Sequence, residues 1–358
     1  MTAEKNHIPA LDGLRGFAAL TVVAGHMASH QFVLPPFANP LGGLGVALFF
    51  TLSGFLMSYL YASRKFDFGN VYNYAVSRLS RIAPAYLLVI IASYLIVRYW
   101  DADFSYQINN ANLLRHLLFS GNVGPLWSIP PEMQFYVFFV FLWWSIAKCS
   151  HHVYWPLVGV LIVSLIVLCF VTKAPGTTLP SKLHLFMLGA GSGLIRYHRP
   201  RTAISGTFLT LIQFSSIMAL LFCDLDLCGK IDRDEYLYLL VGNTTYTSPL
   251  FSLVCFAAVL SLSYPSKIAD AVFANKPMRL LGAWSFSTYL LHDPLLRLAE
   301  GLVKNGYMNE WGAAALGIAV IIAASATLNM LVEKPAQAAT KKLALSKSVG
   351  LSRASNVQ

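Results

Sequence analysis

Long apolar blocks separated by short polar or charged stretches dominate the pattern of this chain. A helix that crosses a bilayer needs about 20 mostly apolar residues. Blocks approaching that length lie at 8–30, 43–62, 82–99, 133–147, 153–172, 182–195, 203–223, 237–263, 281–298 and 312–332. The fourth and sixth are short. The eighth is long and is interrupted by Thr244, Thr245, Ser248 and Pro249. The pattern predicts an all-α, polytopic membrane protein of about ten transmembrane helices. The first block is read as a retained helix and not a cleaved leader, because Arg15 interrupts its apolar run and many further apolar segments follow.

The charged residues orient this array. With the N-terminus inside and sides alternating, 17 of the 26 Lys and Arg fall on inner segments and 8 on outer ones, with Arg15 inside the first span. Excess Lys and Arg marks the cytoplasmic side, so both termini are expected in the cytoplasm and the number of spans is expected to be even. Residues 8–335 form the expected membrane domain. Residues 336–358 form a short basic tail along the inner surface.

Composition strengthens the membrane assignment. Of 358 residues, 56% are hydrophobic and 12% are charged, with mean hydropathy +0.58. Soluble domains carry about twice that charged fraction. The formal net charge of +10 does not imply nucleic-acid binding, because no basic soluble module accompanies it. Cys149, Cys169, Cys223, Cys228 and Cys255 fit no zinc spacing. Cys223 and Cys228 are near enough to pair in an oxidising compartment; as small apolar residues near helix ends they need no partner. The acidic segment 224–235, DLDLCGKIDRDE, places Asp224, Asp226, Asp232 and Glu235 at calcium-loop-like positions. Cys228 takes an oxygen-ligand slot there, so a solvated loop is expected and no metal site is assigned.

Ionisable residues inside a span are costly and mark function by default. Arg15 and His26 are eleven residues apart. That spacing is three helical turns plus about 20°, with a rise of about 16 Å, so the two share a face at different depths. Gly45–Phe55 reads as an apolar helix whose small residues permit close packing. Arg78 and Arg81, in RLSRIAP just before the third block, share a face at i,i+3 and suit a phosphate. They are equally ordinary as cytoplasmic anchors. Glu132, in GPLWSIPPEMQFY, enters the fourth block beside Trp127 and Tyr136. It fits either a role toward a histidine or a hydroxyl-rich substrate, or that of a helix-start acid favoured by the dipole. His292 lies in mid-span with Asp293 beside it.

Taken in order, six segments resemble the acyltransferase 3 family, integral-membrane enzymes that O-acylate carbohydrates. LDGLRGFAAL followed by His26 is similar to the family's first-helix motif of a basic residue, ten spacers and histidine. GVALFFTLSGFLM is similar to its second helix, RLSRIAP to its arginine pair, and LWSIPPEMQFY to its Trp-Ser, Glu and Phe-Tyr segment. SFSTYLLHDP and LVEKP resemble its last two helices. Pro130 and Pro131 beside Glu132 depart from the usual pattern. A fused extracytoplasmic hydrolase-like domain, present in some members, is expected to be absent.

The resemblance implies transfer of an acyl group, most often acetyl, from acetyl-CoA or another acyl-CoA to a carbohydrate or glycolipid acceptor at a bacterial inner membrane. It implies no tightly bound cofactor. His26, Arg15 and Glu132 are the expected catalytic residues. Arg78, Arg81 and Arg15 are expected to hold the acyl-CoA, and Trp127, Tyr136 and His292 to contact the acceptor. His26 serves as general base or transient acyl carrier. A transporter or flippase using intramembrane Arg, His and Glu as a relay is the rival reading.

Overall fold

The computed structural model describes residues 7–30, 32, 38–62, 64–149, 154–170, 176–199, 204–226, 246, 248–340 and 342. Among them no strand occurs, and ten helices of 14 residues or more overlie the ten expected blocks. These are α1 (Pro9–Ser29), α2 (Ala38–Tyr61), α3 (Phe68–Tyr99), α5 (Ile129–Lys148), α6 (Trp155–Phe170), α7 (Leu183–His198), α8 (Gly206–Asp226), α9 (Pro249–Leu262), α10 (Lys276–Lys304) and α11 (Glu310–Leu328). The short helix α4 (Leu113–Leu117) lies in the connection after α3. Three of the ten helices are long and apolar enough to cross a membrane by length and composition: α2, α3 and α11 with its extension to Thr340. The acidic segment after Asp226, Cys228, most of the basic tail and much of the eighth expected block lie outside the described residues.

Helix α1 is wedged between α2 and α10, α2 packs in turn on α7, and α10 packs on α11. Small residues make the wedge possible. A β-carbon on Gly282 of α10 would stand 1.8 Å from the Asp12 carbonyl oxygen of α1, and one on Gly189 of α7 would stand 2.0 Å from that of Thr51 on α2. Backbones in contact at this range bring polar side chains on α1, α2 and α10 within reach of one another. Outward faces of the peripheral helices stay apolar: Leu88, Ile91 and Leu95 on α3, Val137 and Phe141 on α5, and Phe208, Leu211 and Phe214 on α8 are all exposed. Such rows are unstable against water and compatible with lipid. The protein is accordingly a helical membrane protein.

Several boundaries differ from the apolar blocks for local reasons. Helix α3 begins at Phe68, because the Asp67 side chain accepts from the Asn70 backbone N–H. Its first turns are too polar to register as a span. Arg78 and Arg81 therefore sit within a 32-residue helix and not ahead of one. Pro130 and Pro131 fall in the first turn of α5, where a missing N–H does no harm, and Glu132 lies in that same turn. Ser248 and Pro249 start α9, with Ser248 Oγ accepting from the Phe251 N–H. Residues Asn329–Glu333 form a π-helical turn after α11 that packs against α3.

Candidate active site

One cavity gathers four of the residues singled out in the sequence. Arg15, Arg78, Arg81 and Glu132 line it, together with Ser53 and Tyr289. The Arg15 guanidinium donates to Ser285 Oγ at 3.4 Å. Arg78 is buried; it donates to the hydroxyls of Tyr61 and Ser77, both at 3.4 Å, and its Nε has no partner. Its guanidinium also stands 5.6 Å from the centre of the Tyr61 ring. Among the described residues no carboxylate lies within ion-pair distance of Arg15, Arg78 or Arg81. Arg78 is the buried one of the three and Arg15 and Arg81 are half-buried, and cations gathered this way suit an anion.

Glu132 is fixed from two sides. Ser53 Oγ donates to its Oε1 at 2.8 Å, and the Tyr136 hydroxyl donates to the same oxygen at 2.6 Å. Tyr136 is one turn along α5 from Glu132, and its carbonyl accepts the Tyr74 hydroxyl at 2.9 Å. The buried Tyr136 hydroxyl is thus committed to the carboxylate. Trp127 stands behind the cavity wall, edge-on to Phe50, with Lys182 Nζ 5.7 Å from its ring and 4.4 Å from that of Tyr246. It does not line the cavity itself.

Tyr289 marks the end of this chamber. Its hydroxyl donates to the Pro125 carbonyl at 2.5 Å and accepts from Ser128 Oγ at 2.8 Å, which ties α10 to the start of α5. One turn further along α10 come His292 and Asp293, and His26 of α1 lies against both. His26 Nδ1 is 3.4 Å from Asp293 Oδ1, and the His26 and His292 rings meet edge-to-face with centroids 4.7 Å apart. His292 is fully buried. Its Nδ1 lies 2.7 Å from the Tyr289 carbonyl, which can only accept, so Nδ1 carries the proton and Nε2 is the bare, unpartnered nitrogen. His292 therefore backs His26.

The carboxylate that faces His26 is Asp293, while Glu132 belongs to the arginine cavity. Asp293 is joined by His30 and Glu300, which hydropathy alone does not single out. The signal for them is spacing. His26 and His30, the residue just after α1, are at i,i+4, and Asp293 and Glu300 are at i,i+7 on α10, so the members of each pair lie on one side. Glu333, in the LVEKP segment, is buried, accepting from Ser287 Oγ and from Asn329 Nδ2, the latter at 3.0 Å.

Comparison with known proteins matches residues 8–330 to a family model described as an acyltransferase domain, that of acyltransferase 3. The chain belongs to the acyltransferase 3 family. It is an acyltransferase, and the family match weighs against the transporter reading. It is 25% identical to the acyltransferase MdmB of Streptomyces mycarofaciens, over 92% of this chain and 91% of that protein. It is 25% identical to the putative peptidoglycan O-acetyltransferase YrhL of Bacillus subtilis, over 93% of this chain and 55% of YrhL. To the peptidoglycan O-acetyltransferase OatA of Listeria monocytogenes it is 22% identical, over 91% and 55% respectively. The chain thus spans nearly the whole of the first relative and about half the length of the other two. No solved structure matches it.

Proposed function

We propose that this acyltransferase moves an acetyl group from cytoplasmic acetyl-CoA to a hydroxyl of a cell-envelope or exported carbohydrate, at the inner membrane of a bacterium, with ten helices crossing and both termini inside. The observation that carries the proposal is the cavity in which Arg15, Arg78 and Arg81 lie together with no carboxylate among the described residues within ion-pair distance. Phosphate oxygens of an acyl-CoA suit such a site, because guanidinium groups bind them through charge-assisted, forked hydrogen bonds. The relatives named as O-acetyltransferases support acetyl as the group moved and a carbohydrate as its acceptor.

In this reading Arg78 and Arg81 hold the phosphates and Arg15 directs the thioester along α1 toward His26. His26 Nδ1 faces Asp293, which leaves Nε2 to take the proton of the acceptor hydroxyl. The hydroxyl oxygen bonds to the acyl carbon, the carbon–sulfur bond breaks, and CoA leaves as thiolate. Glu132, held by Ser53 and Tyr136, orients the acceptor at the start of α5. The test is His26→Ala, with acyl transfer followed in membranes at matched expression. Transfer should be lost while CoA still raises the thermal stability of the purified variant. Transfer retained at the wild-type rate removes His26 from the mechanism.

A further inference from the structure

Past the cavity, ionisable side chains follow one another in a line, each within 4 Å of the next. His26 Nδ1 lies 3.4 Å from Asp293 Oδ1, and that oxygen lies 3.8 Å from His30 Nε2. His30 Nδ1 is 2.7 Å from Glu300 Oε2, and Glu300 Oε1 is 2.5 Å from Lys304 Nζ. The side chains of His26, Asp293, His30 and Glu300 are 30%, 16%, 18% and 23% exposed and that of Lys304 is 72% exposed, so the line passes through two shielded groups and ends at the surface. None of its members lines the arginine cavity, so holding the donor does not account for them. One carboxylate would suffice to orient His26. The second histidine and second carboxylate need another reason.

Acyl transfer between opposite sides of a membrane supplies that reason. The thiolate released on the donor side takes its proton from water there. The proton taken from the acceptor hydroxyl is left on His26 and must depart before the next turnover. We infer that Asp293, His30 and Glu300 conduct this proton from His26 to solvent at the Lys304 end of α10. His26 gives its Nδ1 proton to Asp293, Asp293 passes one to His30 Nε2, and His30 releases its Nδ1 proton to Glu300 and thence to water. Each ring returns to its starting tautomer by giving its Nε2 proton to water and taking one back at Nδ1, so no atom or electron is left unbalanced. An imidazole suits each histidine step because it accepts at one nitrogen and donates from the other near neutral pH.

The groups facing this line are few. His26 meets His292 and Asp293, and His30 meets Asp293 and Glu300, while Arg297 on the same helix is exposed. Helix α2, also packed on α1, has no Asp, Glu, His, Lys or Arg, and α11 has only Glu310, which is exposed.

The inference rests on His26 acting as the general base, and the experiment separates the two. Thiol release from acetyl-CoA is followed with the purified full chain in weak buffer, water serving as acceptor, across a pH series for wild type, His26→Ala, His30→Gln and Glu300→Gln. His30→Gln and Glu300→Gln should release thiol about tenfold more slowly. Each should have an altered pH profile, and added imidazole should restore the rate by collecting the proton directly. His26→Ala should be inactive with or without imidazole in the buffer. If His26→Ala is inactive but the other two keep the wild-type rate, profile and indifference to imidazole, the relay is overturned and the base assignment stands. If His26→Ala is active, the base assignment itself falls and takes the relay with it. Glu300 lies near the surface end of the line, so Glu300→Gln carries the test even where His30→Gln fails to fold.

Discussion

Arg78 is held at a cost that its neutral partners offset only in part, and assigning it to a phosphate gives a prediction with two opposite signs. Its side chain is buried, its two hydrogen bonds are both at 3.4 Å and go to neutral hydroxyls, and its Nε is unpartnered. Replacing it by methionine removes an unpaired buried cation and keeps most of the packing volume, so the ligand-free protein should be as stable as wild type or more stable. The same change deletes a charge-assisted hydrogen bond to phosphate, worth about 1.5–3 kcal/mol, which weakens the CoA dissociation constant about 10- to 150-fold. Arg78→Lys keeps the charge and loses the fork, so its affinity should fall between the two. Thermal unfolding of the purified full chain, with and without a CoA titration, measures both quantities. A methionine variant that binds CoA with wild-type affinity would refute the assignment of Arg78 to the phosphates. One that is strongly destabilised without ligand would refute the view that its charge is unpaired.

Three further outcomes follow from particular contacts. Glu132→Gln keeps an oxygen that accepts from both Ser53 and Tyr136, so its melting temperature should stay at the wild-type value while acyl transfer in membranes falls by about 100-fold; equal activity would make Glu132 purely structural. Gly282→Ala drives a methyl into the Asp12 carbonyl oxygen 1.8 Å away and should destabilise by about 1–3 kcal/mol, read as a lowered unfolding temperature. Tyr289→Phe removes the hydroxyl that joins the Pro125 carbonyl to Ser128 and leaves one buried acceptor unsatisfied, a loss of about 1–3 kcal/mol in the same assay. Unchanged unfolding in either of these two variants would contradict the packing described for α10.

The helical layout was legible in the chain because each long helix carries its own apolar block, and the ends that differ are those where propensity and capping outrun hydropathy. Helix α3 starts at Phe68 after a capping Asp67, fourteen residues ahead of its apolar block, and that placed Arg78 and Arg81 inside a helix. The arginine cavity was half legible. Arg15, Arg78, Arg81 and Glu132 each stood out as charges in or beside apolar stretches, yet nothing local reveals that α1, α3 and α5 bring them to one chamber. Ser53 was hidden, since a serine in a small-residue helix is ordinary and its bond to Glu132 spans 79 positions.

The histidine line shows why pairing across helices resists reading from one chain. Asp293 stood in the sequence only as the neighbour of His292, and the structure exchanges their importance. His292 turns inward, its Nδ1 committed to the Tyr289 carbonyl, while Asp293 faces His26 and His30 together. Adjacent residues on a helix point about 100° apart, so the two meet α1 differently, Asp293 by a carboxylate oxygen and His292 by an edge-to-face ring contact, and both depend on how closely α10 approaches. That approach is set by Gly282, where the two backbones touch. The same glycine contact therefore brings Ser285 to Arg15 on one side of Tyr289 and Asp293 to His26 on the other. The partners of Arg15 and of His26 are thus both placed by a single helix interface, and a shift of α1 against α10 must disturb both at once.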